Sequence, residues 1–195
     1  MKPQESAVKL QKPGAGLPFL EGLVARYYLM PVKSRQMSWD DSDQLFLRET
    51  DKILKLVSKL DTAALETQVL IGHIAGIEDS SRFWSPSMTM EHLMIVAPHM
   101  ANTIVELSHG RVPAVVVDIA AVKPKSAIPA RDVARLFAGT MKDVQKLMKT
   151  KVADQKSPAR LHHPWFGKIT AHQWNWLRGS HQWLHRQQIK AILKA

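Results

Sequence analysis

The chain has 195 residues, 45% hydrophobic and 23% charged, which suits one domain with a real core and leaves little room for two. It has no cysteine, which excludes disulfides, a thiolate nucleophile and every zinc or iron–sulfur site built on sulfur. The net charge of +10 invites acidic partners. Yet Arg131, Arg135, Lys142, Lys146 and Lys149 fall mostly on the solvated side of a helix and no nucleic-acid-binding pattern is present, so a nucleic-acid surface is not expected.

Residues 1–36 hold Pro3, Pro13, Gly14, Gly16, Pro18 and Pro31 and read as an irregular arm with one short helix over Leu20–Met30. Its apolar stretch is broken by Pro18, Glu21 and Arg26 and lacks the layout of a secretory signal, and no run of 18 apolar residues follows. A cytoplasmic protein without a membrane span is the expectation. Residues 37–195 read as the folded domain. Ser38 and Asp41 stand in capping-box spacing, with Asp in place of Glu, and Leu45, Phe46, Ile53, Leu54 and Val57 continue at helical period to about Leu60. A shorter helical piece follows Asp61–Thr62, and Gly72, Gly76 and Glu78–Ser81 read as loop.

A second long helix is predicted from the Ser85 cap and Pro86 to about Ser108, with Met90, Leu93, Ala97, Met100, Ile104 and Leu107 as its apolar stripe and Pro98 inside it. A Pro-punctuated crossover follows, in which Val115–Val117 reads as an extended, buried segment. The third helix is predicted from about Pro129 to Thr150. After a polar linker the fourth opens on a Thr170–Gln173 capping box and runs almost to the C-terminus. Four amphipathic helices with no convincing sheet predict an all-α, four-helix bundle with a long crossover between helices two and three.

Nine histidines supply nitrogen for a metal. Trp174, Leu177, His181, Leu184, Gln188 and Ile192 share one face of the last helix, and its apolar members turn it toward the core. His181 and His185 are four residues apart, so they project from adjacent turns, the spacing that presents two imidazoles to one ion. A third ligand has to come from a neighbouring helix. His92, beside the apolar stripe of the second helix, is the candidate by context. His99 is its rival or a supporting group.

The segment Trp84-Ser85-Pro86 followed by Glu91-His92-Leu93 resembles the opening of the second helix in the DinB/YfiT-like metalloenzyme family. His181-x-x-x-His185-x-x-Gln188-Ile189 resembles that family's C-terminal motif, and His162-His163-Pro164-Trp165-Phe166-Gly167 is similar to a subgroup signature ahead of it. The resemblance covers about residues 40–195. It implies a four-helix bundle, a metal held by His92, His181 and His185, and zinc or nickel as the ion, with manganese or iron as alternatives. It also implies a reaction on a small molecule that uses a low-molecular-weight thiol such as bacillithiol or mycothiol, or else metal-activated water. A non-catalytic bundle stapled by its metal is the alternative reading.

Three neutral imidazoles leave a divalent ion its full charge and an open position. Acid–base work needs a titratable neighbour. Glu91 and His99 are the candidates, with Asp79 a third from the preceding loop. Gln188 reads as a support for the site or as packing, and Glu91 otherwise as a solvated carboxylate at a helix start. His162 and His163 read as structural or surface groups, and His73, His109 and His172 receive no role. Trp165, Phe166, Trp174, Trp176 and Trp183 read as core rather than a substrate box. Bundles of this kind often pair through apolar faces, so a homodimer belongs to the expectation.

Overall fold

The computed structural model describes residues 9–195; the first eight residues of the expected arm lie outside them. Residues 9–18 are irregular, and α1 (Phe19–Val24) passes directly into a π-helical stretch (Ala25–Lys33) and α2 (Ser34–Gln36). The expected short helix is therefore longer and runs through Pro31. The wider π turn moves the carbonyl four residues back away from the proline ring, which an α turn would bring into collision.

Next, α3 (Trp39–Val57) opens on the predicted box. The Ser38 hydroxyl accepts from the Asp41 N–H at 3.0 Å, and the Asp41 carboxylate accepts from the Ser38 N–H at 3.2 Å. α4 (Thr62–Glu66) is capped by Asp61, and β1 (Val69–Leu70) pairs antiparallel with β2 (Phe83–Trp84). α5 (Pro86–Ser108) begins at the Ser85 cap and stays helical through Pro98. After the crossover come α6 (Ala130–Lys151), the hairpin β3 (Arg160–His163) and β4 (Gly167–Thr170), and α7 (Ala171–Ile192) on its Thr170–Gln173 box.

The long helices α3, α5, α6 and α7 make the bundle, with α7 packed on both α3 and α5. Phe46, Ile53, Met90, Leu93, Ile104, Val133, Phe137 and Ile189 are fully buried at its centre. Each contributes about 1.5–3 kcal/mol relative to exposure. Two expectations need correction. The two short hairpins had no alternating pattern long enough to announce them, and Val115 and Val116 are exposed rather than buried, since the crossover runs over the surface. No helix among the described residues is long and apolar enough to cross a membrane.

The rotation of α7 is set by its contact with α3. A Cβ on Gly179 would lie 2.9 Å from the Ser42 carbonyl oxygen, so the helices approach over a residue that has no side chain. Arg178, 1% exposed, binds Asp43 and Asn175, and its guanidinium lies 4.1 Å from the Phe46 ring centroid. Burial pulls its pKa down to about 10, against the Asp43 charge that holds it up. Two turns further, Arg186 pairs with the buried Glu49, which also accepts from Lys52 at 2.7 Å. With this face locked on α3, the face carrying His181 and His185 is committed to α5.

Candidate metal centre

His92 sits in the second turn of α5, and His181 and His185 on successive turns of α7. Their Nε2 atoms converge. His181 Nε2 lies 3.2 Å from His92 Nε2 and 3.1 Å from His185 Nε2, and one donor atom from each ring falls within 4.8 Å of the other two. Nitrogens bound to one ion at about 2.0–2.1 Å are about 2.8–3.4 Å apart for octahedral to tetrahedral angles, so the spacing fits a shared ion.

The outer nitrogens settle the tautomers. His92 Nδ1–H donates to the Val122 carbonyl at 2.7 Å. Gln188 donates from its amide nitrogen to the Ser81 carbonyl at 2.7 Å, which turns its amide oxygen to His185, so His185 Nδ1–H donates to it at 2.7 Å. Both rings therefore present bare Nε2 lone pairs to His181. One imidazole N–H can satisfy only one of them, whereas a cation satisfies all three. Burial drives all three imidazoles toward the neutral form. His92 is lowered to about 4, and His181 and His185 fall well below the ordinary value. The donor set fits a divalent metal.

No protein-family model and no curated protein matches the sequence. Solved structures do. TT2238, a four-helix bundle protein, superposes with a TM-score of 0.54 at 20% identity over 79% of this chain and 99% of its own. The mycothiol-dependent maleylpyruvate isomerase gives a TM-score of 0.60 at 16% identity over 81% of this chain and 63% of its own, and a point mutant of it gives 0.61. The chain is a four-helix bundle of this fold. At such identities the likeness extends to the fold alone, and this chain spans less than two thirds of the isomerase's length.

In this bundle Trp84 lies behind the triad, its ring centroid 5.2 Å from that of His92 and 6.2 Å from that of His185, on which it stacks at 10°. Gln188 is fully buried and bonded to a ligand candidate, so it supports the site. Glu91 is buried rather than solvated. It accepts from the N–H groups of Lys125 and Ala127, at 3.1 and 3.4 Å, because the crossover folds back over the start of α5 and takes the place of water. His99 is exposed and outside the triad. Asp79 is engaged by Arg82 and by the Gln11 N–H. His163 is buried and neutral, lowered to about 3 by burial, and its Nδ1 accepts from the Trp165 N–H at 3.1 Å. His172 bonds the carbonyls of Ser34 and Met37.

Beside the triad lies a cavity of about 840 Å³ whose walls include all three histidines and His99. The arm roofs it with Leu17, Ala25 and Leu29, and the crossover adds Val115–Val117. Glu78 ties these together. It takes Lys123 at 2.6 Å and the N–H groups of Gly14 and Gly16, at 3.3 and 2.9 Å; burial works to raise its pKa, and these partners outweigh it. Sequence reasoning missed Ser81, Val122, Glu78 and Lys123. Two of these act through carbonyl oxygens, which no side-chain pattern reveals.

Proposed function

We propose that the chain is a DinB-like, divalent-metal-dependent enzyme in which His92, His181 and His185 hold the ion, zinc or nickel before manganese or iron. The reaction is a small-thiol-dependent transfer or, failing a thiol, a hydrolysis. The observation that carries this reading is the convergence of three neutral Nε2 atoms on one point at the wall of a cavity. A metal that only stapled helices would be closed by four ligands. Here one side of the triad faces open space, which favours catalysis over the structural alternative.

When bound, the ion supplies a positive charge that lowers the pKa of a coordinated thiol or water. The chain does the rest. Val122 and Gln188 hold two imidazoles in the tautomer that presents Nε2, and Trp84 fixes their ring planes. His99 lines the cavity and reaches solvent, which favours it over Glu91, already held by the crossover, as a carrier of protons. A thiol has to arrive as cosubstrate because the chain has no cysteine. The thiol dependence named for the isomerase of the same fold supports looking there first.

A homodimer would form on the outer face of the arm, where Phe19, Leu20, Leu23, Val24, Tyr27 and Tyr28 are exposed on consecutive helical turns. A chain of net charge +10 repels its own copy across basic surfaces, whereas these six side chains are uncharged and Arg26 is the one cation beside them, 5.9 Å from the Tyr27 ring centroid.

The test is thiol consumption with a panel of electrophiles, using bacillithiol, mycothiol and cysteine in turn. The reading predicts turnover that needs the metal and disappears in His185→Ala with helical circular dichroism retained. Turnover that survives complete removal of the metal contradicts it.

A further inference from the structure

The chain's net charge of +10 does not extend to the cavity beside the triad. Lys123 is the only lysine or arginine among its described lining residues, against three carboxylates, Glu78, Glu106 and Asp118. Lys123 is consumed by Glu78 at 2.6 Å and by the hydroxyls of Ser80 and Ser81. Glu106 is paired with Arg111, and Asp118 accepts from the N–H groups of Ala120 and Ala121 in its own turn. No side-chain cation is left to receive a carboxylate, phosphate or sulfonate, so away from the triad an anionic group finds no partner.

The rest of the wall is mainly hydrocarbon and aromatic ring, among it Leu29, Ile95, Val117, Phe166, Trp176 and Leu184, together with the polar side chains of Asn102, Thr103 and Ser180 and the histidines. Among the lining residues, the buried side-chain polar atom without a partner is Trp174 Nε1, a neutral donor suited to a carbonyl or ether oxygen. The volume, about 840 Å³, lies within the range of about 300–1,000 Å³ that encloses drug-sized molecules.

We propose that the cavity, away from the triad, takes the neutral, largely apolar part of a substrate, an aromatic or branched hydrocarbon body, and discriminates against anionic groups there. This rests on the metal-site reading in that the cavity is taken as the substrate chamber of that site. A basic protein that selects a neutral ligand is the distinctive consequence. Surface charge draws anions to the outside, while unpaired desolvation excludes them from the part of the chamber away from the triad.

The test pairs two probes on one ring skeleton, neutral N-phenyl-1-naphthylamine and the anionic 1-anilinonaphthalene-8-sulfonate. Both are followed by energy transfer from tryptophan in the full chain stripped of metal with a chelator, so that no ion can receive the sulfonate, and zinc uptake is measured on the same preparation. The neutral probe is expected to saturate at one per chain and to bind at least about tenfold more tightly than the sulfonate. Ile95→Trp, which fills the chamber, is expected to weaken the neutral probe at least about tenfold. Val117→Lys, on the crossover and outside the bundle helices, supplies the missing cation and is expected to reverse the preference. Neutral-probe binding that neither variant changes, or wild-type sulfonate binding that is tighter and is lost in Ile95→Trp, overturns the proposal. Saturable neutral binding without zinc uptake sinks the metal reading and upholds the chamber. Zinc uptake without saturable neutral binding does the reverse.

Discussion

Replacing Gln188 with leucine removes a side chain that never reaches the ion, and should still weaken metal binding. Gln188 links the Ser81 carbonyl to His185 Nδ1 by two bonds of 2.7 Å in a fully buried position. Leucine nearly conserves the volume but strands a buried carbonyl and an imidazole N–H. Each loss costs about 1–3 kcal/mol, partly offset by the added apolar burial, so the metal-free variant should be destabilised by about 1–3 kcal/mol. His185 also loses the bond that fixes its tautomer, and losing such a partner weakens metal binding about 10–100-fold, or about 1.4–2.8 kcal/mol. Competition against a chromophoric zinc chelator reads the affinity, and urea unfolding reads the stability. Gln188→Glu separates the two effects. It keeps an acceptor for His185 but sets a carboxylate against the Ser81 carbonyl, so affinity should recover in part while stability stays low. A Gln188→Leu protein that binds zinc within twofold of wild type would refute the reasoning.

Gly179→Ala forces a methyl group to 2.9 Å from the Ser42 carbonyl oxygen, and Ser42 is backbone that cannot swing aside. The variant should lose about 1–3 kcal/mol in urea unfolding despite alanine's better helix propensity. In the metal-free protein, buried His163 refuses a proton down to pH about 3 while the unfolded chain accepts one near 6.5. Its contribution to stability is therefore complete above pH 6.5 and is lost at about 1.4 kcal/mol per pH unit as pH falls through that window. His163→Asn keeps an acceptor for the Trp165 N–H and should flatten the pH profile of unfolding by that amount. Leu23→Glu puts a charge in the exposed apolar stripe of the arm, and sedimentation should show a dimer converted to monomer.

The helices were legible where the chain writes their ends in side chains. Ser38 with Asp41, Ser85 with Pro86, and Thr170 with Gln173 satisfy helix-start N–H groups by local geometry, and each start stands where its cap predicts. The His181–His185 pair was legible for the same reason, since four residues on a helix fix relative position. What escaped depends on distant chain. The hairpin at Arg160–Thr170 is held by Leu161 and Ile169 packing into the bundle core, and four-residue strands carry too little alternation to be read alone. Val115 and Val116 are apolar yet exposed on the crossover, because loop backbone needs water. Glu91 reads as a solvated carboxylate until the crossover's N–H groups are laid over it. Gln188 was legible as a neighbour of the site, but its partner, the Ser81 carbonyl, was not.

X-ray absorption at the zinc edge of the reconstituted chain tests the three-histidine centre most directly. It should show three imidazole nitrogens at about 2.0–2.1 Å together with at least one further light ligand, and two imidazoles or none in His181→Ala. A wild-type spectrum with one imidazole or none, or one that His181→Ala leaves unchanged, would contradict the account.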